Sequence, residues 1–174
     1  MGRCGGDGVI DPIFPGLMSA PENNNATATP LFVSRFDNKV DEKRRIQIPS
    51  SWRRGQSGVR FILVPVPKRV WRPACLVAMP PEKFMSLVQE VRQMRFSDDR
   101  ADTLRRLLAT RATEVETDSA GRICLPEEVA RSVEVKDRVV LAGMIDCFEI
   151  WSPERYAQLE TGDDERASEA FSMI

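Results

Sequence analysis

The chain has 174 residues, 42% hydrophobic and 29% charged, with a net charge of -1; that suits one compact domain or two small ones, and bulk charge alone does not point to a nucleic-acid partner. It holds no histidine, and its four cysteines are widely separated with no Cys-x-x-Cys pair, which removes His-based catalysis and most metal sites. Val59–Val66 and Val139–Ile145 are its longest apolar runs, strand-sized and far short of the roughly 20 residues of a membrane helix.

Residues 1–30 lack periodicity and are rich in Gly, Asn and Pro, so they are expected to form a disordered extension. Asp7 and Asp11 interrupt any apolar region there, which argues against a signal peptide and for a cytoplasmic protein. A short strand then leads into a turn at Asp41–Arg45. The alternation over Arg45–Ile48 predicts a second strand, and Pro49 opens a short helix over Ser50–Arg54. Strands are predicted at Arg60–Pro65 and Cys75–Met79. A helix starts near Pro81 and runs over Glu82–Arg95. Ser97 is placed as the cap of a second helix, Asp98–Ala112, with Leu104, Leu107 and Leu108 on one face. The pattern then repeats: a turn at Asp118–Arg122, strand Arg122–Leu125, helix Glu127–Ser132, strands Arg138–Gly143 and Cys147–Trp151, and a helix near Pro153. The acidic tail after Thr161 is expected to fray.

This repetition is the decisive feature. Asp41-Glu42-Lys43-Arg44-Arg45-Ile46-Gln47-Ile48-Pro49 matches Asp118-Ser119-Ala120-Gly121-Arg122-Ile123-Cys124-Leu125-Pro126 at an offset of 77. Cys75, Pro81, Glu82, Phe84 and Leu87 match Cys147, Pro153, Glu154, Tyr156 and Leu159 at an offset of 72. The extra residues of the first copy are assigned to Gly55–Gly58 and Val66–Pro73, which read as loops. Cys75 and Cys147, at equivalent strand positions, are expected to be buried thiols. Trp151 reads as core, and Trp52 either packs in the core or stacks on a nucleic acid.

Two copies of Asp-x-x-x-Arg-Ile-x-(Ile/Leu)-Pro, each followed by a helix and two strands, resemble the MraZ transcriptional regulators of the bacterial division and cell-wall gene cluster, within the wider AbrB-like superfamily. The resemblance covers Phe32–Leu159. It implies an α+β, mainly β fold of two tandem swapped-hairpin AbrB-like βαβ barrel modules, at 31–97 and 113–160. Residues 98–112 would form a connecting helix and 161–174 an acidic tail. It also implies a ring-like homo-oligomer larger than a dimer, nucleoid-associated in the cytoplasm, that represses or regulates through repeated promoter boxes in double-stranded DNA. The motif residues Asp41, Arg45, Asp118 and Arg122 would contact the DNA. An arginine at a hairpin tip presents a planar donor fork that matches guanine O6 and N7, and an aspartate four residues earlier can brace it. The family usually has Gly before the motif arginine; Gly121 keeps it, whereas the first copy has Arg44. If the position needs a left-handed φ, a side chain there costs about 1–2 kcal/mol.

Charge is divided between the copies. From Arg35 to Arg72 there are eleven Lys/Arg and three acids; from Thr113 to Glu160 there are five basic residues and eleven acids. Lys43, Arg44, Arg53 and Arg54 join the motif residues as expected DNA contacts, chiefly to phosphates. The competing reading is an oligomeric interaction scaffold of the same fold without specific DNA binding. An enzyme is not expected, since no phosphate-binding Gly loop or metal cluster is visible, and no cofactor or metal is implied.

Overall fold

The computed structural model describes residues 30–67, 74–95 and 97–174. The expected N-terminal disorder, and the basic residues Lys68, Arg69 and Arg72, lie outside the described residues. The described residues form a mixed α and β fold: an antiparallel six-stranded sheet, a two-stranded ribbon and four helices. In chain order these are β1 (Arg35–Lys39), β2 (Arg45–Gln47), β3 (Arg60–Val66), β4 (Cys75–Met79), α1 (Pro81–Gln93) and α2 (Asp99–Arg111). The second copy supplies β5 (Thr113–Glu116), β6 (Arg122–Cys124), α3 (Glu127–Ser132), β7 (Arg138–Gly143), β8 (Phe148–Trp151) and α4 (Pro153–Phe171).

The strand order is β1-β7-β8-β4-β3-β5. The copies therefore exchange strands. β1 of the first copy pairs with β7 of the second, and β5 of the second pairs with β3 of the first. β4 and β8 join at the centre, and β2 pairs with β6 in a separate ribbon. The order reads the same from either end, a pseudo-two-fold arrangement. Its registers correct the repeat alignment. Asp37 faces Val140 and the equivalent Glu114 faces Ile62, so β3 and β7 match at an offset of 78, one more than the turns. The extra residues of the first copy thus fall wholly between β3 and β4, and none at Gly55–Gly58.

Strand alternation gives the sheet two apolar faces. Phe61, Leu63, Leu76, Ala78, Val139, Leu141, Phe148 and Ile150 face the ribbon and α3, where they close a core with Ile46, Ile48, Ile123 and Leu125. Trp52 lies in that core, edge-on to Phe32 and Phe36, with its indole N–H donating to Val33 O at 2.9 Å. It is a packing residue. The opposite face is covered in two parts: Phe84, Val91 and Leu108 of α1 and α2 pack on Ile62, Val64 and Met79, while Tyr156 and Leu159 of α4 pack on Val140 and Trp151.

Local departures from the expected elements have local causes. Residues 50–55 form a turn where a helix was predicted, because Arg54 and Gly55 adopt φ of 52° and 70° and Gly55 N–H closes back on Ser50 O. The cap of α2 is Asp98 and not Ser97; its carboxylate accepts from Arg100 N–H at 2.9 Å. The tail does not fray at Thr161. α4 runs to Phe171, where Glu165, Arg166, Ala167, Glu169 and Ala170 supply good helix formers after the weaker Gly162, Asp163 and Asp164. Cys75 is fully buried as expected, but Cys147 is only half-buried, because β8 begins one residue after it.

Candidate nucleic-acid interface

The site is built on the two repeated turns. In the first, Asp41 Oδ1 accepts from the backbone N–H groups of Lys43 and Arg45, both at 2.9 Å, and Oδ2 accepts from Arg45 Nε at 2.7 Å. In the second, Asp118 Oδ1 accepts from Ala120 N–H at 3.0 Å and Arg122 N–H at 2.9 Å. Its Oδ2 takes Arg122 Nε at 3.0 Å and Nη2 at 2.8 Å. One carboxylate thus closes the turn with one oxygen and holds the motif arginine with the other. Backbone donation from Arg45 and Arg122, more than any other cause, holds the two carboxyls below the usual range, with the arginine side chains adding to it. Both aspartates are therefore ionised at neutral pH.

The turns meet through the ribbon. Arg45 lies opposite Cys124, Ile46 opposite Ile123 and Gln47 opposite Arg122. The two isoleucines are fully buried. Alternation then sends Arg45, Gln47, Arg122 and Cys124 to the outer face together. The arginines stand two residues apart along the ribbon, roughly 7 Å, about two steps of a duplex rising 3.4 Å per base. They are cross-linked electrostatically as well, since Arg122 Nη1 lies 3.9 Å from Asp41 Oδ2. About a third of each motif side chain stays exposed, from 30% for Arg45 to 36% for Asp41, so the guanidinium edges are braced yet reachable.

Arg44 does adopt a left-handed φ, 56°, matching 77° at Gly121. The turn is not rebuilt; it carries the strain. In exchange, Arg44 Nε donates to Leu125 O at 3.3 Å. Arg53 makes the equivalent bond at the other end of the ribbon, Nε to Ile48 O at 3.2 Å, and adds Nη1 to Gln56 O at 2.8 Å. Its guanidinium lies directly over Gly121, where a Cβ would come within 2.3 Å of Cζ. At the offset of the turns, the second copy has the small Ala130 in place of Arg53.

The eight residues singled out from sequence thus fall into two groups. Asp41, Lys43, Arg44, Arg45, Asp118 and Arg122 gather on the two turns at the ends of the ribbon. Arg53 reaches one of those turns from the 50–55 segment with two of its nitrogens engaged by main chain, and Arg54 follows it, exposed, beside the groove that also takes in Arg60 and Lys83. Sequence reasoning passed over Gln47 and Cys124. The signal was present: each follows its motif arginine by two residues in a strand, which places it on the same face.

The chain is 31% identical to a protein of Thermomicrobium roseum called "Transcriptional regulator MraZ", over 73% of this chain and 85% of that one. Proteins of the same name from Leuconostoc mesenteroides and Symbiobacterium thermophilum are each 32% identical, over 77% and 82% of this chain and 91% and 96% of theirs. The chain belongs to the MraZ family. The family model described as "MraZ protein" and as antitoxin-like matches residues 108–172, which take in the second turn, its strands and α4. The stronger positive charge lies outside that match, in the first copy. Among the described residues, no group of acidic or cysteine side chains could hold a metal, and no helix is long and apolar enough to cross a membrane.

Proposed function

We propose that this MraZ-family chain is a DNA-binding transcriptional regulator that reads double-stranded DNA with the outer face of the β2–β6 ribbon. The observation that carries this reading is the pair Arg45 and Arg122, each clamped by its own aspartate and both on one face of a two-stranded ribbon. A ribbon of this width fits the major groove, where a braced guanidinium can pair bidentately with guanine, for about 1–3 kcal/mol of base discrimination. Lys43 and Arg44 flank the face as phosphate contacts, Arg53 adds what its main-chain bonds leave free, and Arg54 extends the positive charge from the neighbouring groove. Specificity rests with the arginines; the surrounding charge sets affinity and its salt dependence.

The exchange of β1 and β5 between the copies supports the AbrB-like swapped-hairpin arrangement, with modules at 31–97 and 113–160. The target is read as short repeated boxes in promoters of the division and cell-wall genes, and the protein as a cytoplasmic, nucleoid-associated repressor. Leu31, Val33, Met144 and Ile145 are exposed around one end of β1, an apolar surface suited to self-association in a ring larger than a dimer. A monomer mass in light scattering at micromolar protein would overturn the ring.

Footprinting on the region upstream of the protein's own gene tests the DNA reading. Repeated protected boxes, lost in the Arg45→Ala, Arg122→Ala double variant, are expected. Uniform protection that survives the double variant would leave the chain a scaffold with incidental charge.

A further inference from the structure

Gln47 stands directly opposite Arg122 on the exposed face of the ribbon. Its amide nitrogen donates to Ala120 O at 3.0 Å and Gly121 O at 3.1 Å, with Ile48 O at 3.4 Å. All three neighbours are main-chain carbonyls, which only accept. The NH2 must therefore face inward, and the amide cannot flip without setting oxygen against oxygen. Both protons are used, and Oε1 accepts no hydrogen bond from any described residue. The turn of the second copy thus fixes a carbonyl-type acceptor on the outer face, beside the Arg122 donor fork.

The pseudo-equivalent position differs. Cys124 stands opposite Arg45, and its thiol donates to Lys43 O at 3.3 Å, the carbonyl equivalent to that of Ala120. The bond is copied, but the thiol's one proton is spent and sulfur is a weak acceptor. Beyond the clamp aspartates, which both halves share, the half of the ribbon around Arg122 therefore presents donors and one fixed neutral acceptor, whereas the half around Arg45 adds no such acceptor.

We propose that Gln47 is a specificity-determining residue, whose Oε1 accepts a hydrogen bond from the exocyclic amino group of a base in the major groove, next to the base met by Arg122. This rests on the ribbon reading given above. In the major groove adenine N6 and cytosine N4 are amino donors, whereas guanine O6 and thymine O4 are acceptors. A fixed acceptor so placed prefers A or C over G or T at one position on one strand. The amide is already held, so little ordering is required on binding. The other half-site carries no such preference, and the preferred DNA site is asymmetric although the fold is nearly two-fold.

The experiment is enrichment of bound duplexes from a randomised library by the full chain and by Gln47→Ala, Cys124→Gln and Arg122→Ala. The wild type should show one position favouring amino over keto bases by about three- to tenfold, the worth of one hydrogen bond. Gln47→Ala should equalise the four bases there while leaving its neighbours unchanged, and Arg122→Ala should erase the adjacent preference. Cys124→Gln should create a second amino-preferring position in the other half-site; should Gln47→Ala fail to fold, this gain decides the matter. A purely structural Gln47 predicts equal weakening on all sequences. That result, or an amino preference that survives Gln47→Ala, or a Cys124→Gln variant with no new preference, overturns the inference and leaves the ribbon reading intact. No enrichment by the wild type overturns both.

Discussion

Arg44 and Arg53, nine positions apart in sequence, cap equivalent carbonyls at opposite ends of the same ribbon: Leu125 O and Ile48 O. One guanidinium comes from the turn itself, the other from the segment after Pro49. Each position holds an arginine in one copy and a small residue in the other: Arg44 where the second copy has Gly121, and Arg53, which lies over Gly121, where the second copy has Ala130 at the same offset. The missing motif glycine of the first copy is therefore half of a compensated exchange. Arg44→Ala keeps the left-handed backbone and loses the bond, and should destabilise by about 1 kcal/mol. Arg44→Gly loses the same bond but relieves about 1–2 kcal/mol of backbone cost, so it should be the more stable of the two. Urea denaturation of both variants checks the order.

Gly121→Ala meets two penalties, a φ of 77° and overlap with the Arg53 guanidinium. The backbone part alone is worth about 1–2 kcal/mol. In an Arg53→Ala background only that part should remain. A double-mutant cycle between the two positions is expected to show a coupling above the roughly 0.5 kcal/mol scatter of independent sites; strict additivity would mean that Arg53 does not lie over the turn.

Specific DNA binding should lose about 1–3 kcal/mol in Arg45→Ala, with blurred base preference. Arg122→Ala should cost less, because Glu114, Glu116, Glu127 and Glu128 flank the second motif in the chain while Lys43, Arg44, Arg53 and Arg54 accompany the first. Lys43→Ala and Arg54→Ala should weaken all sequences alike and reduce the salt slope by about one each. A salt titration against a cognate and a scrambled duplex separates these effects. A larger loss for Arg122→Ala would make the acidic copy the principal reader.

The aspartates make pH a further test. Their carboxyls sit below the ordinary value of 3.8 when folded, so the stability they contribute is complete above that value and is lost only as pH falls through the lower folded one. With no histidine in the chain, specific affinity should be flat from about pH 8 to about pH 5. Anisotropy titrations across that range check it; a midpoint between them would point to a group other than the two clamps. Asp118→Asn should lower specificity by freeing Arg122, while non-specific binding holds or rises because a negative charge is gone.

Thiol chemistry can map the ribbon. Cys124 is exposed on its outer face, Cys75 is buried, and burial, more than the neighbouring Asp146 carboxylate, pushes the Cys147 thiol up to about 11. Alkylation followed by mass spectrometry should label Cys124 well before Cys147 and Cys75. A bound duplex should slow labelling of Cys124. Equal labelling with and without DNA would remove this face from the interface.

Much of the fold could be read from residues because the repeat fixed its elements twice. β4 and β7 begin and end where apolar alternation places them, and α3 follows Pro126 as predicted. The sequence does not reveal which strand pairs with which. β1 finds β7 through long-range packing of Phe36 and Leu141, and no local signal carries that. The turn at 50–55 is not legible in the sequence, because Arg54 takes a left-handed φ that nothing flags in an arginine. At the site, the Asp-x-x-x-Arg spacing was sufficient for the clamps. The role of Arg53 was not legible, because its contact with Gly121 exists only once the two copies are assembled.

The exchanged strands also set a timetable. Arg35 of β1 waits for Ala142 of β7, about a hundred residues downstream, before its edge can be paired. At roughly 5–20 residues per second of synthesis, the first copy leaves the ribosome with its opening strand unmatched for several seconds. Until then β1 offers bare hydrogen-bonding edges, and β3 keeps one until β5 is made. Contacts so distant are slow to form even in the finished chain. A slower passage through the α1–α2 region lengthens that exposure, and with it the time in which a nascent chain can pair with a neighbour.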